Sequence, residues 1–489
     1  MRASGIIMHI SSLPSPYGIG TMGKEAFRFV DFLHRAGQKY WQVLPIGPTG
    51  CGDSPYQSFS AFAGNPYFID LDILIEKGLL TKEEVRSVHW CDSDDKVYYG
   101  TIYENRWPVL RKAYHSFKKS VPADYSKFLA ENMDWLMDYA LFMALKDKHE
   151  GKCWLEWGEA KFCESEATAN YRKELREDMN FYCFLQYEFY AQWKKLSDYA
   201  HHKGIKIIGD VPIYVPLDSA DVWSRPELFQ LDEERKPTGV AGVPPDYFTA
   251  DGQLWGNPLY DWEVIEKDNF AWWTERLKAA GKLFDVIRLD HFRGFASYWN
   301  VPYGDKTARG GKWVTGPGKR FIDAINTIEG IDFIAEDLGV LTPDVAELME
   351  YSGLPGMKVL QFAFDPSGTS SYLPHSYEKN CVCYTGTHDN ATLAQWIDEA
   401  GEAEMGFAAR YLGLSEAEGN IWGIIRGGMC SAAELFVAQM QDYLEIGEEG
   451  RMNMPGFLNG QNWRWRADGN MLTDELAVKI GEMTRRYGR

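Results

Sequence analysis

The chain has 489 residues, with 51 Lys and Arg against 70 Asp and Glu, for a formal net charge of −19 at pH 7. At roughly 150 residues per domain, that length predicts about three domains or one large α/β barrel with insertions. A surface so negative repels phosphate backbones and anionic lipid, which excludes nucleic acid and membranes as expected partners, and no run reaches the roughly 18 apolar residues of a membrane helix.

The chain begins with Met1-Arg2-Ala3-Ser4-Gly5 ahead of the apolar run Ile6–Ile10, too brief for a signal peptide. From there, short apolar and β-branched runs recur along the whole length. They predict strands at Gly5–Ile10, Tyr40–Pro45, Ile205–Tyr214, Val286–Phe292, Asp332–Leu338, Lys358–Phe364, Val382–His388 and Leu435–Met440. Helical patterns lie between many of them. After the first strand, Ala26, Phe29, Val30 and Leu33 keep helical spacing and Gly37 closes the helix. After the fifth, Thr342 is the N-cap, Pro343 opens the helix and Gly353 ends it. Eight strands alternating with helices predict a parallel sheet, open or closed into a (β/α)8 barrel.

A bare barrel needs about 250 residues, so much of the chain is insertion. The largest piece, 46–204, is rich in Trp and Tyr, helical in its later part, and has no linker-like tract. It reads as an inserted subdomain of one catalytic unit spanning 1–489, with 215–262 and 447–466 as active-site loops. The eight cysteines form no C-x-x-C motif, and the expectation is a reduced cytoplasmic protein.

Absent motifs narrow the chemistry. There is no phosphate-cradling glycine loop, no H-E-x-x-H and no G-x-S-x-G. Asp92, Asp94 and Asp95 fail as a calcium loop because Val97 stands where Gly is needed, and His201-His202 reads as a solvated helix end.

The positive signal is acidic residues at strand ends, in Ile208-Gly209-Asp210, Arg288-Leu289-Asp290, Ala335-Glu336-Asp337 and Thr387-His388-Asp389. In a parallel barrel all strand C-termini converge on one face, so these four could share a pocket. Each taken singly reads more readily as a helix N-cap than as a catalytic group. Together, without a metal motif or nucleophilic Ser or Cys, they point to glycoside chemistry, in which one carboxylate attacks the anomeric carbon and another protonates the departing oxygen. Arg288, two residues before Asp290, shares its strand face and favours a charged carboxylate, while Glu336 follows a strand buried enough to favour a neutral one. Aromatic residues make up 15% of the chain. Tyr56, Trp255 and Trp463 lie in Gly/Pro/Asn-rich loops and are candidates to pack on sugar rings, whereas Trp272 and Trp273 fit a core pattern.

Eight segments carry a resemblance. They are Ser11-Ser12-Leu13-Pro14, Asp53-Ser54-Pro55-Tyr56-Gln57, Gly209-Asp210-Val211-Pro212, Pro244-Pro245-Asp246-Tyr247-Phe248, Leu254-Trp255-Gly256-Asn257-Pro258, Arg288-Leu289-Asp290-His291-Phe292-Arg293-Gly294, Ala335-Glu336-Asp337-Leu338-Gly339 and Gly386-Thr387-His388-Asp389-Asn390. With Arg451-Met452-Asn453, they make the chain resemble the 4-α-glucanotransferases known as amylomaltases or disproportionating enzymes, a branch of the α-amylase superfamily. Ala391 stands where such enzymes carry Asp, and Phe457–Asn462 departs from their usual loop; both leave the carboxylates intact.

The resemblance implies a (β/α)8 barrel without a C-terminal β-sandwich. It implies Asp290 as nucleophile, Glu336 as acid and base, and Asp389 as the residue opposing positive charge on the sugar. The Asp290 and Glu336 carboxyls would then lie roughly 5–5.5 Å apart, as retention requires. It also implies Tyr56, Asp210, Trp255, Arg288 and His388 as substrate-binding residues, and no metal or organic cofactor. Donors would be maltooligosaccharides and α-1,4-glucans, acceptors glucose or glucan, and the enzyme a monomer or homodimer. An α-1,4-glucan hydrolase and a non-catalytic glucan-binding protein are the alternatives.

Overall fold

A computed structural model describes residues 2–245, 249–339, 341–457 and 460–489. Among them twelve strands are numbered in chain order: β1 (Ala3–Ile7), β2 (Tyr40–Gln42), β3 (Lys206–Val211), β4 (Gly239–Val243), β5 (Gln253–Pro258), β6 (Val286–Leu289), β7 (Ser297–Pro302), β8 (Lys312–Thr315), β9 (Asp332–Ala335), β10 (Gly356–Val359), β11 (Cys381–Tyr384) and β12 (Leu435–Gln439). Eight of them pair in the order β10-β11-β12-β1-β2-β3-β6-β9, all parallel. The row closes on itself where the Ala335 N–H donates to the Pro355 carbonyl at 3.0 Å, giving a (β/α)8 barrel. Each of the eight predicted strands supplies one stave.

The staves are shorter than their apolar runs. Gly5–Ile10 leaves the ladder after Ile7 and turns into a 3₁₀ helix at Ile10–Ser12, and Phe292 and Leu360 likewise open 3₁₀ turns. The C-terminal ends splay from the barrel there, so apolar residues past the ladder pack in turns rather than in strands.

Alternation decides what faces inward. Ile7, Ile208, Val286, Ile334, Val382 and Val437 cluster inside the barrel. Two residues further along their strands, on the same face, come Asp210, Arg288 and Glu336. The interior thus changes from apolar to ionisable toward the C-terminal mouth.

The insertion 46–204 is largely helical, ending in the 27-residue helix Arg176–His202 that returns the chain to β3. Its Tyr99, Phe142 and Phe184 belong to the same hydrophobic cluster as Phe29 and Leu33 of the helix Lys24–Arg35. The helix predicted after the fifth strand runs Pro343–Ser352, with Gly353 closing it at φ 64°.

The segment 215–262 differs from its reading as a loop. It carries the helix Ala220–Ser224 and strands β4 and β5, which join β7 and β8 in a four-stranded antiparallel sheet ordered β5-β4-β7-β8. Val240, Val301 and Ala308 give this sheet its own small core. Gly242 is required there, because a Cβ would meet the Gln253 carbonyl oxygen at 2.5 Å. Among its described residues the segment 447–466 has one helical element, the 3₁₀ turn Glu448–Gly450. After β12 the described residues add helices, chiefly Asp474–Arg486, and no further strand.

Candidate active site

The ladder between β3 and β6 sets Asp210 directly opposite Arg288. Arg288 Nη1 reaches Asp210 Oδ1 at 2.9 Å and Oδ2 at 2.7 Å, and Asp290 Oδ1 at 2.7 Å. One guanidinium nitrogen therefore organises two carboxylates. Burial alone would lower the Arg288 pKa, but Asp210 and Asp290 outweigh it and hold the group well above its ordinary value, so it stays charged.

Glu336 follows β9 as Asp290 follows β6, and the register pairs Leu289 with Ala335, so the two acids leave neighbouring staves at one level. His291, in the left-handed region at φ 52°, turns the chain and lets its N–H donate to Glu336 Oε2 at 2.8 Å. The Leu338 N–H donates to Oε1 at 2.9 Å. Burial pushes the Glu336 carboxyl up to about 7; the Asp290 charge adds to this, while Arg288 and the two N–H donors oppose it. Near neutral pH it carries a proton much of the time. The His291 ring, also buried, is lowered to about 4 and remains neutral.

Asp389 follows β11 and stays almost half exposed. Its Oδ1 accepts from Asn453 Nδ2 at 2.6 Å and lies 3.3 Å from His388 Nε2. Arg451 Nη2 donates to the Asp389 carbonyl at 3.1 Å, so Arg451 and Asn453 hold both the backbone and the carboxylate of this acid. Tyr56 donates its hydroxyl to Asp210 Oδ2 at 2.8 Å and stacks on the His388 ring, centroids 4.9 Å apart at 21°. That contact ties the insertion to the barrel mouth.

Trp255, on β5, is half-buried and stands edge-on to His291 at 4.8 Å. Trp463 differs from its reading as a sugar-contacting loop aromatic. It is 5% exposed and packs against Tyr56 and His388 at 5.9 and 5.8 Å, so it backs those rings. Trp465 is equally buried. Tyr247 and Phe248 lie outside the described residues. Ala391 is buried, and its carbonyl accepts from Gln361 Nε2 at 2.8 Å.

Asp210, Arg288, Asp290, Glu336, His388, Asp389, Tyr56 and Trp255 thus gather at one barrel mouth. Asn453, quoted in the sequence only as part of a motif, joins them through its bond to Asp389. Among the described residues no group of three or more His, Cys, Asp or Glu is arranged to hold a metal ion. A carboxylate braced by Arg beside a carboxyl whose pKa is raised suits attack at a carbon with protonation of its leaving oxygen.

Known proteins resemble this chain along its whole length. A family model described as 4-alpha-glucanotransferase matches residues 8–472. The chain is 52% identical over 486 residues to a Clostridium butyricum protein named 4-alpha-glucanotransferase, covering 99% of this chain and 100% of that one. A Thermus thermophilus protein of the same name is 47% identical, with 99% and 97% covered. Among solved structures, an amylomaltase from Streptococcus agalactiae in complex with acarbose is 41% identical, with 100% of both chains covered and a TM-score of 0.97. Matched from end to end in sequence and in fold, the chain belongs to the 4-alpha-glucanotransferase family.

Proposed function

We propose that the protein moves an α-1,4-glucan segment from a donor maltooligosaccharide to the 4-hydroxyl of an acceptor glucan or glucose, through a covalent glycosyl-enzyme. The observation that carries this reading is the Asp290–Glu336 pair, in which one carboxylate is braced by Arg288 and its neighbour is pushed toward 7. In the first step an Asp290 oxygen attacks the anomeric carbon. The bond to the leaving glucan breaks, and Glu336 gives its proton to that oxygen. In the second step Glu336 takes the proton of the acceptor 4-hydroxyl as that oxygen displaces Asp290. Two inversions preserve the α configuration. Arg288 occupies Asp290 Oδ1, which leaves Oδ2 as the attacking atom. Asp389, held by Asn453, opposes the positive charge that grows on the sugar. Asp210, Arg288 and His388 bind hydroxyls of the reacting unit, while Tyr56 and Trp255 line its neighbours.

Water competes with the acceptor for the glycosyl-enzyme, so transfer depends on orienting one hydroxyl while excluding solvent. The Arg451 and Asn453 contacts to Asp389 and the half-buried Trp255 beside His291 crowd the reacting groups, which supports transfer. The setting we infer is a reduced cytoplasm, which accords with the seven described cysteines all being free thiols, with the enzyme acting as a monomer or homodimer.

Chromatography of a maltotriose reaction tests the reading. Glucose and a ladder of longer maltooligosaccharides should form while the number of reducing ends stays nearly constant. A steady rise in reducing ends, with no product longer than the substrate, would make the protein a hydrolase.

A further inference from the structure

We propose that Trp313 is a stacking platform for the second or later sugar unit of long acceptor glucans, and so sets acceptor-length preference. The proposal rests on the reading of Glu336 as the acid and base, because that residue marks the side of the cleft where leaving group and acceptor bind.

Trp313 stands out by exposure. The chain has 18 tryptophans, all among the described residues, and Trp313, at 43%, is the one exposed rather than buried or partly buried. It lies on β8, the outer strand of the antiparallel sheet. An exposed indole on an edge strand invites unwanted association, a liability that a ligand-binding role would offset.

The ring is also held still. The Arg293 guanidinium carbon lies 4.2 Å from its centroid, covering one face. Trp299, its partner in the β7–β8 ladder, meets it edge-on at 5.2 Å and is itself fixed by donating its indole N–H to the Ala308 carbonyl at 2.8 Å. A braced aromatic ring that remains 43% exposed is preorganised for a ligand.

Position supplies the ligand. Arg293 is three residues past Asp290; burial lowers its pKa, and the charges of Asp344 and then Glu336 oppose that. Asp344, in the helix that follows the Glu336 strand, accepts from Ser297 Oγ of β7 at 2.7 Å. Trp313 is therefore one Arg side chain away from the loop that follows Asp290, and that Arg lies within electrostatic reach of Glu336, which puts the ring on the proton-donor side in this reading. A glucan leaving that side presents the C–H face of a pyranose, which suits a flat apolar ring.

The test separates acceptor from donor. α-Maltosyl fluoride fills the donor side, and fluoride leaves without help from an acid. With it as donor, Trp313→Ala should raise KM for maltohexaose as acceptor by roughly five- to tenfold. Its KM for glucose as acceptor, its KM for the fluoride and its melting temperature should stay near wild type. Trp313→Phe, which keeps a flat ring, should recover most of the loss. A shift of the same size for glucose and maltohexaose, or no shift for either, overturns the proposal. So does an effect confined to the KM of the fluoride, which would put the ring on the donor side. Glu336→Gln in the same assay judges the acid assignment by itself, since it should still give a burst of fluoride.

Discussion

Asp210 and Arg288 are direct partners across the β3–β6 ladder, and Arg288 Nη1 sits 2.7 Å from Asp210 Oδ2 while also reaching Asp290. Two strands thus deliver a buried anion and a cation to one point, and the cation fixes the second anion. Arg288→Lys keeps the charge but loses the planar fork that aims a nitrogen at both acids. We expect kcat/KM on maltotriose to fall by about 100-fold or more, with circular dichroism unchanged. Activity within about threefold of wild type would show that charge alone suffices.

Glu336 gives a pH prediction with a definite sign. Its carboxyl is raised from the ordinary 4.5 to about 7, chiefly by burial and then by Asp290. A carboxyl whose folded pKa exceeds its unfolded value costs nothing while both states are protonated. It destabilises the fold as pH rises past 4.5, and the cost is complete above 7. Glu336→Gln should therefore melt with wild type at pH 4 and above it at pH 8, despite losing orders of magnitude in turnover. In the wild type, kcat/KM should fall on the alkaline side with a limb near pH 7. A melting difference that does not vary with pH would contradict the raised pKa.

The insertion gives a structural prediction. Gly64, in the segment 46–204, packs so closely that a Cβ would lie 2.1 Å from the Phe189 ring of the long helix. The Gln186 side chain brackets the same residue, accepting from its N–H at 2.7 Å and donating to its carbonyl at 2.9 Å. We propose that 46–204 does not fold by itself, since it shares one core with the barrel helices. Gly64→Ala should destabilise the whole chain by about 1–3 kcal/mol in a single unfolding transition. Limited proteolysis should release no stable fragment of 46–204, and a resistant one would mark an independent domain.

What the sequence made legible follows from local pattern. Runs such as Val286–Phe292 and Asp332–Leu338 read as strands because both faces of a barrel stave are buried, and the acid toward the end of each run could be placed at the mouth. The antiparallel sheet was not legible in the same way. Gly239–Val243 has neither alternation nor a long apolar run, and its pairing with Ser297–Pro302 depends on a partner remote in the chain. Trp463 misled because glycine and asparagine neighbours look alike whether a loop is open or packed. The bond from Asn453 to Asp389 spans 64 residues and joins two irregular segments, so no periodicity could reveal it.

That bond supports the last prediction. Asn453 Nδ2 donates to Asp389 Oδ1 at 2.6 Å, and Arg451 fixes the adjoining backbone. Asp389 is nearly half exposed, so packing does little to hold its carboxylate in one rotamer, and the amide is what aims it. Asn453→Ala removes the aim without adding charge. If Asp389 acts mainly on the charged transition state, kcat should fall by about 10- to 100-fold while KM changes little. Asn453→Asp replaces the donor with a second acceptor in contact with the first, and two carboxylates at that distance cannot both ionise. The pair would then keep a proton to higher pH, and the protonated partner would restore one hydrogen bond. Residual activity of Asn453→Asp should accordingly rise as pH falls from 8 to 5, whereas that of Asn453→Ala should follow the wild-type profile. Wild-type kcat in Asn453→Ala would show that Asp389 needs no such support.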